Sequence, residues 1–273
     1  MTVDRQYSAP PADPAGTGRK TWILLPLAAV LILSIIMSAG LGYIVISPGD
    51  ILQIIFSQFG SALPEQIDTS YPFVIMEVRL PRILTGVLVG GGLAVAGCVF
   101  QSLLQNPLAD PYTLGISSGA AFGASMSILL LIWGVALPAP LLIPLSAFIG
   151  AMLTLTAVFS LVGPASRFSS NSLILSGIII SAILSAGISL IKFLADEQVN
   201  AIIFWLMGSF IGKDWIDVLL LVVIVLPCSG VLLLFARELD IMTFGDRVSD
   251  SLGIETGRVR KLILIIASLA TSA

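Results

Sequence analysis

The chain has 273 residues, of which 57% are hydrophobic and 11% charged, with a net charge of −3 and no histidine. A soluble domain carries about 25% charged residues, so the composition excludes a water-soluble globular protein and specifies a membrane protein. The lack of histidine removes histidine-based zinc sites and proton relays, and Cys98 and Cys228, both in apolar stretches, read as small buried hydrophobes rather than a disulfide or metal pair.

Residues 1–20, "MTVDRQYSAPPADPAGTGRK", are polar and rich in Pro, Ala and Gly. They read as a disordered cytoplasmic tail, not a cleavable signal, so the membrane domain is residues 21–273. About 20 apolar residues cross a bilayer, which makes 21–49 the first span and 83–109 the second. The uncharged stretch 111–166 is too long for one crossing, and Pro138, Pro140 and Pro144 divide it into two. Residues 168–191 form a fifth span and 218–236 a sixth. Residues 262–273 look like part of a seventh, where the chain stops. The expected fold is an all-α polytopic transmembrane bundle of six full spans plus part of a seventh.

Lysine and arginine favour the inner side of a membrane. A cytoplasmic N-terminus puts Arg5, Arg19, Lys20, Arg167, Arg237, Arg247, Arg258, Arg260 and Lys261 inside, against Arg79, Arg82, Lys192 and Lys213 outside. Two further segments read as helices that do not cross, 50–59 and 196–210. In the second, Val199, Ile202, Ile203, Leu206, Met207 and Phe210 share one helical stripe. Small-residue spacing at Gly86 and Gly90, and again at Gly115, Gly119 and Gly123, suits close helix packing in lipid.

Catalytic signatures are missing from the sequence. "GSFIGKD" (208–214) is one residue short of a phosphate-binding loop and has Asp214 where a hydroxyl should stand. Neither HExxH nor GxSxG occurs, and no acid or base lies within a span to relay protons. The expectation is a transport subunit without enzymatic activity, cofactor or metal, whose energy comes from elsewhere.

Polar chemistry concentrates in three places. The first is "RLPR" (79–82), where Pro81 fits a first helical turn and Arg82 would fall at a helix N-terminus. Its arginines would meet either lipid phosphates or an acidic partner. The second is the turn around Asn106-Pro107 and Asp110-Pro111, where Asn106, Ser117 and Ser118 are candidate pathway residues. The third is 236–261, where Thr243 or Asp246 would cap a short helix through Val248 and Leu252, ended by Gly253. A second short helix from about Glu255 would lead into the last span. This reads as a firm protrusion fit for a cytoplasmic partner.

"RLPRILTGVLVGGGLAVAGCVFQSLLQNPLADPYTLGISSGA" closely resembles the signature of FecCD-type permeases, the membrane subunits of ABC importers for ferric siderophores, haem and vitamin B12. "WLMGSF" and "FGDRVSDSLGIETGRVRK" are similar to two later signatures in the same order, so the likeness covers roughly residues 22–273. The resemblance implies a type II importer fold in a bacterial or archaeal cytoplasmic membrane. It implies pairing with a second permease copy or paralogue, two ATPase subunits inside and a substrate-binding protein outside, with no nucleic acid. By position, Arg79 and Arg82 match the pair that meets the binding protein. Phe244, Gly245, Asp246, Ser249, Leu252 and Gly253 match the loop that seats in the ATPase. Family members have ten crossings, so the expectation is a fragment or, less favoured, a truncated and inactive paralogue. An ion-coupled secondary transporter is the alternative reading.

Overall fold

In a computed structural model, residues 15–60, 64, 66–136, 138–163 and 169–272 are described. They form an all-helical chain that divides into two compact units, Met1–Ile83 and Leu84–Ala273. The expected tail lies outside the described residues as far as residue 14, and the first helix begins at Ala15. Among the described residues, five helical runs are long and apolar enough to cross a membrane: Trp22–Gly40, Tyr71–Leu104, Ala139–Val162, Ser170–Leu194 and Trp215–Leu234. Ile116–Ile132 is apolar but has 17 residues, the short end of a crossing.

In the first unit, α1 (Ala15–Gly40) is followed by α2 (Pro48–Ser57). Ser47 caps α2 by accepting the Asp50 N–H, and Pro48 fills the first turn, where its missing donor costs nothing. The next element starts with a single turn, α3 (Tyr71–Phe73), passes through a π-helical turn (Val74–Arg79) and continues as α4 (Leu80–Leu104), which from Leu84 on belongs to the second unit. Ala39, Ile46, Ile51, Ile54, Ile67 and Ile75 form this unit's core.

The sequence places a helix start at Pro81, and the structure corrects this. The helical run begins at Tyr71, so Arg82 is in its interior and not at a positive dipole end. A proline inside an α-helix clashes with the carbonyl four residues back. Here the turn just before it is widened, with the Leu80 N–H donating to Ile75 O, five residues away. That is how a π-turn carries a helix through a proline.

The second unit holds α5 (Ile116–Ile132), α6 (Ala139–Val162), α7 (Ser170–Leu194), α8 (Val199–Met207), α9 (Trp215–Leu234), α10 (Ala236–Met242), α11 (Asp246–Ser251) and α12 (Thr256–Ser272). Helices α5 and α6 are antiparallel neighbours joined at Gly134, whose φ of +88° needs a glycine. Pro138 and Pro140 mark this break as expected, but Pro144 lies inside α6. It forfeits only one bond near the helix start, which membrane helices tolerate. The decoy segment 208–214 is an N-terminal lead-in: Asp214 caps α9, accepting from Ile216 and Asp217 N–H groups in a reciprocal capping box. The main core packs Phe100, Leu103, Leu114, Leu155, Val158, Leu173, Ile263, Leu264 and Ala267.

Candidate functional site

The two arginines of the opening signature have different fates. Arg79 is half-buried, and its guanidinium donates to Ala39 O at 2.6 Å and, through the other terminal nitrogen, to Ile44 O. Ala39 O is one of the last carbonyls of α1, which have no intrahelical partner and carry the negative end of the helix dipole. Arg79 thus clasps the end of α1 and the chain that leaves it. The clasp also explains a glycine: a Cβ at Gly42 would stand 2.7 Å from the Arg79 Nη2. Arg82 is exposed and makes no hydrogen bond or ion pair with another described residue.

The turn after α4 satisfies its own polar groups. Asn106 Oδ1 accepts the Leu108 N–H at 2.9 Å. Asp110 Oδ1 accepts the Thr113 N–H, and the Thr113 hydroxyl donates back to Asp110 O at 2.6 Å. Asn106 is therefore a turn-forming residue. Ser117 instead lines a cavity of about 230 Å³ together with Tyr112, Trp205 and Thr271. Asn106 and Ser118 are not among the residues lining that cavity. The structure does not gather the three candidates into one site.

The segment 236–261 folds as α10, α11 and the start of α12, with a different helix start from the one expected. The cap of α11 is Gly245, at φ +96°, with Asp246 at the first helical position; Thr243 instead closes α10. Gly253, at φ +85°, ends α11 as expected. The second helix is not short, since α12 runs unbroken from Thr256 to Ser272. Six residues of helix cannot hold themselves together in water, so α11 depends on anchors. The Ser249 hydroxyl, fully buried, donates to Gly245 O at 3.0 Å and reaches Ile241 O at 3.2 Å. Asp246 forms a two-point ion pair with Arg260 of α12, at 2.6 and 3.3 Å. The Thr256 hydroxyl donates to Asp250 Oδ1 at 2.6 Å. The Gln105 amide donates to Met242 O and Thr243 O at 3.0 and 3.1 Å.

The six residues singled out in this loop therefore divide by task. Asp246 and Ser249 hold the protrusion from behind, and Gly245 and Gly253 allow its two reversals. Phe244 and Leu252 face outwards, 74% and 62% exposed, with Val248 beside them. Sequence reasoning missed Arg260, Thr256 and Gln105. Arg260 lies among three basic residues in "GRVRK" and 14 positions from its partner. Only the register of α12, which puts Thr256, Arg260, Ile263, Leu264 and Ala267 on one buried face, sets it apart.

The family model described as the FecCD transport family matches residues 30–273. The chain is 37% identical over 248 residues to the uncharacterized ABC transporter permease protein YvrB of Bacillus subtilis, covering 89% of this chain and 69% of the relative. It is 34% identical over 247 residues to the molybdate import system permease protein MolB of Haemophilus influenzae, covering 90% and 71%. Similarity to the Fe(3+)-citrate import system permease protein YfmE of Bacillus subtilis is 33% over 247 residues, covering 89% and 69%. A solved inward-facing structure of a provisionally assigned metal-chelate type ABC transporter superposes with a TM-score of 0.74 at 31% identity, covering 92% of this chain and 74% of that one.

Proposed function

The chain belongs to the FecCD transport family, and on that premise we propose that it is the membrane permease subunit of an ATP-driven importer whose cargo is a metal chelate. A ferric siderophore is the leading cargo, with haem or cobalamin behind it. The relatives include importers of molybdate and of Fe(3+)-citrate, which supports placing cargo choice mainly in a separate substrate-binding protein. The subunit sits in the cytoplasmic membrane with its N-terminus inside and pairs with a second permease. Two cytoplasmic ATPase subunits hydrolyse the ATP.

The observation that carries this reading is the braced protrusion of α10 and α11. A six-residue helix held at Asp246, Ser249 and Asp250, with Gln105 fixing the end of α10 before it, presents Phe244, Val248 and Leu252. Exposed apolar side chains on a firm, charged-flanked knob suit an apolar cleft on a soluble partner. In this role Phe244 and Leu252 enter the ATPase, and Gly245 and Gly253 shape the knob. Asp246 and Ser249 hold it in place. On the other membrane face Arg82 meets acidic residues of the binding protein, with Arg79 fixing the helix that carries it.

Phe244→Glu combined with Leu252→Glu is expected to leave the permease in the membrane and remove the ATPase from it. Burying these two side chains contributes about 3 kcal/mol or more, roughly a hundredfold in affinity. Affinity co-purification of the full-length gene product with its cognate ATPase reads this directly. Undiminished recovery of the ATPase with the double variant would remove the protrusion as its docking site.

A further inference from the structure

We propose that Arg260 is a positioning residue: its half-buried pair with Asp246 locks α11 to α12, so that a push on α11 moves α12 with it as one body. This deepens the importer reading and rests on it, because the push is supplied by the ATPase.

Glycines with positive φ flank α11 at both ends, +96° at Gly245 and +85° at Gly253. Glycine hinges on either side of a single helical turn and a half would yield under load. Asp246 stands beside the first hinge, and the Arg260 guanidinium grips both of its oxygens from the opposite element. Arg260 is 2% exposed and continues the face of α12 that carries Ile263, Leu264 and Ala267 into the main core. The α12 end of the pair is thus immobilised by packing. Near the second hinge, Thr256 holds Asp250 in the same way and from the same helix. Gln105 adds a third tie, from the turn that leads into α5 to the carbonyls of Met242 and Thr243.

The chemistry of the pair fits a brace better than a binding contact. A planar guanidinium holds a carboxylate at two points and so resists rotation, which a lysine ammonium cannot do. Arg260 is too buried to touch a docked subunit. Without the pair, the ties of Ser249, Thr256 and Gln105 still present Phe244 and Leu252, so the ATPase binds less tightly but is not lost. The movement would be absorbed at Gly245 and Gly253.

The test uses the full-length gene product assembled with its cognate ATPase, carrying nitroxide labels at Arg247 of α11 and Leu262 of α12. In the unmutated complex the label separation should be the same with and without ATP and vanadate. In Arg260→Met the ties of Ser249, Thr256 and Gln105 remain, so the ATPase is expected to be retained at reduced affinity and still to hydrolyse ATP. The separation should shift by about 2 Å or broaden on ATP–vanadate trapping, the scale of helix movements at interfaces. Arg260→Lys, which keeps the charge but not the fork, should fall between the two. An Arg260→Met complex whose separation ignores ATP overturns the inference, as does an unmutated complex whose separation already changes. Should Arg260→Met fail to accumulate, Thr256→Val is expected to broaden the distribution in the same way, and no change there overturns the proposal. Failure of the unmutated permease to retain any ATPase is a separate outcome that removes the importer reading itself.

Discussion

Replacing Gly123 with leucine is expected to stop the chain from accumulating in folded form, and Gly123→Ala to cost about 3 kcal/mol, the upper end of the usual range for overpacking. A Cβ at Gly123 would fall on the carbonyl oxygen of Ser146 in α6. At Gly119, one turn earlier, it would lie 2.5 Å from Gly150 O and collide with the Thr154 hydroxyl. Gly150 is close-packed in return, its own Cβ position meeting the backbone of Gly119. These neighbours are largely backbone atoms, which cannot rotate away, so relief requires α5 and α6 to separate. In lipid no hydrophobic force pulls them back together, because the pair is held by van der Waals contact that falls off steeply with distance. Gly86→Ala is the matched control, since a Cβ there meets nothing within 4 Å and alanine favours the helix by about 1 kcal/mol. Thermal unfolding in detergent, followed by size-exclusion recovery, compares them. Equal midpoints for Gly123→Ala and Gly86→Ala would show that α5 and α6 do not meet as closely as their glycines indicate.

That contrast marks where local sequence stops carrying information. Gly86/Gly90 and Gly115/Gly119/Gly123 show the same spacing, yet only the later set presses on a neighbour, α6 and α7, among the described residues. Spacing defines a smooth face; the choice of partner comes from contacts distant in sequence. The apolar stretches were legible because lipid demands a run of uncharged residues. The short helices α8 (Val199–Met207) and α11 (Asp246–Ser251) were legible because their polar flanks and terminal glycines are local signals, although α8 stops at Met207 and leaves Phe210, expected on its stripe, beyond its end. Pro81 misled for a local reason as well: rules for prolines treat them as helix starts, and only the π-turn before it lets the helix run through. The brace was illegible, since Asp246 and Arg260 belong to different helices and nothing in "GRVRK" distinguishes its second arginine from its first.

Arg79 and Arg82 are three residues apart and equal in charge, yet their replacement is expected to fail in different assays. Arg79→Met should destabilise the first unit by about 2–4 kcal/mol, since two carbonyls each lose a charged donor worth about 1.5–3 kcal/mol and the site is only half-buried. Amide exchange should rise first between Gly40 and Ile46, where the clasp holds the chain leaving α1. Arg82→Glu should leave that exchange and the unfolding midpoint unchanged, because the side chain is exposed and makes no hydrogen bond or ion pair with a described residue. Its effect belongs to docking: against an acidic patch, reversal replaces an attraction by a repulsion and should weaken binding-protein affinity about tenfold or more, since close interfacial charge pairs couple by about 1.5–7 kcal/mol. The loss should shrink as salt rises, because an exposed charge is screened over about 8–10 Å at ordinary ionic strength. Titrating the fluorescently labelled binding protein against each variant in nanodiscs separates these effects. If Arg82→Glu binds as tightly as the unmutated permease at low salt, the exposed arginine has no docking role. If Arg79→Met loses affinity only where amide exchange shows α1 released, its part is to fix the helix that presents Arg82. An affinity loss in Arg79→Met with the clasp still protected would instead mean that Arg79 leaves α1 to meet the partner. The two arginines would then act together at the interface after all.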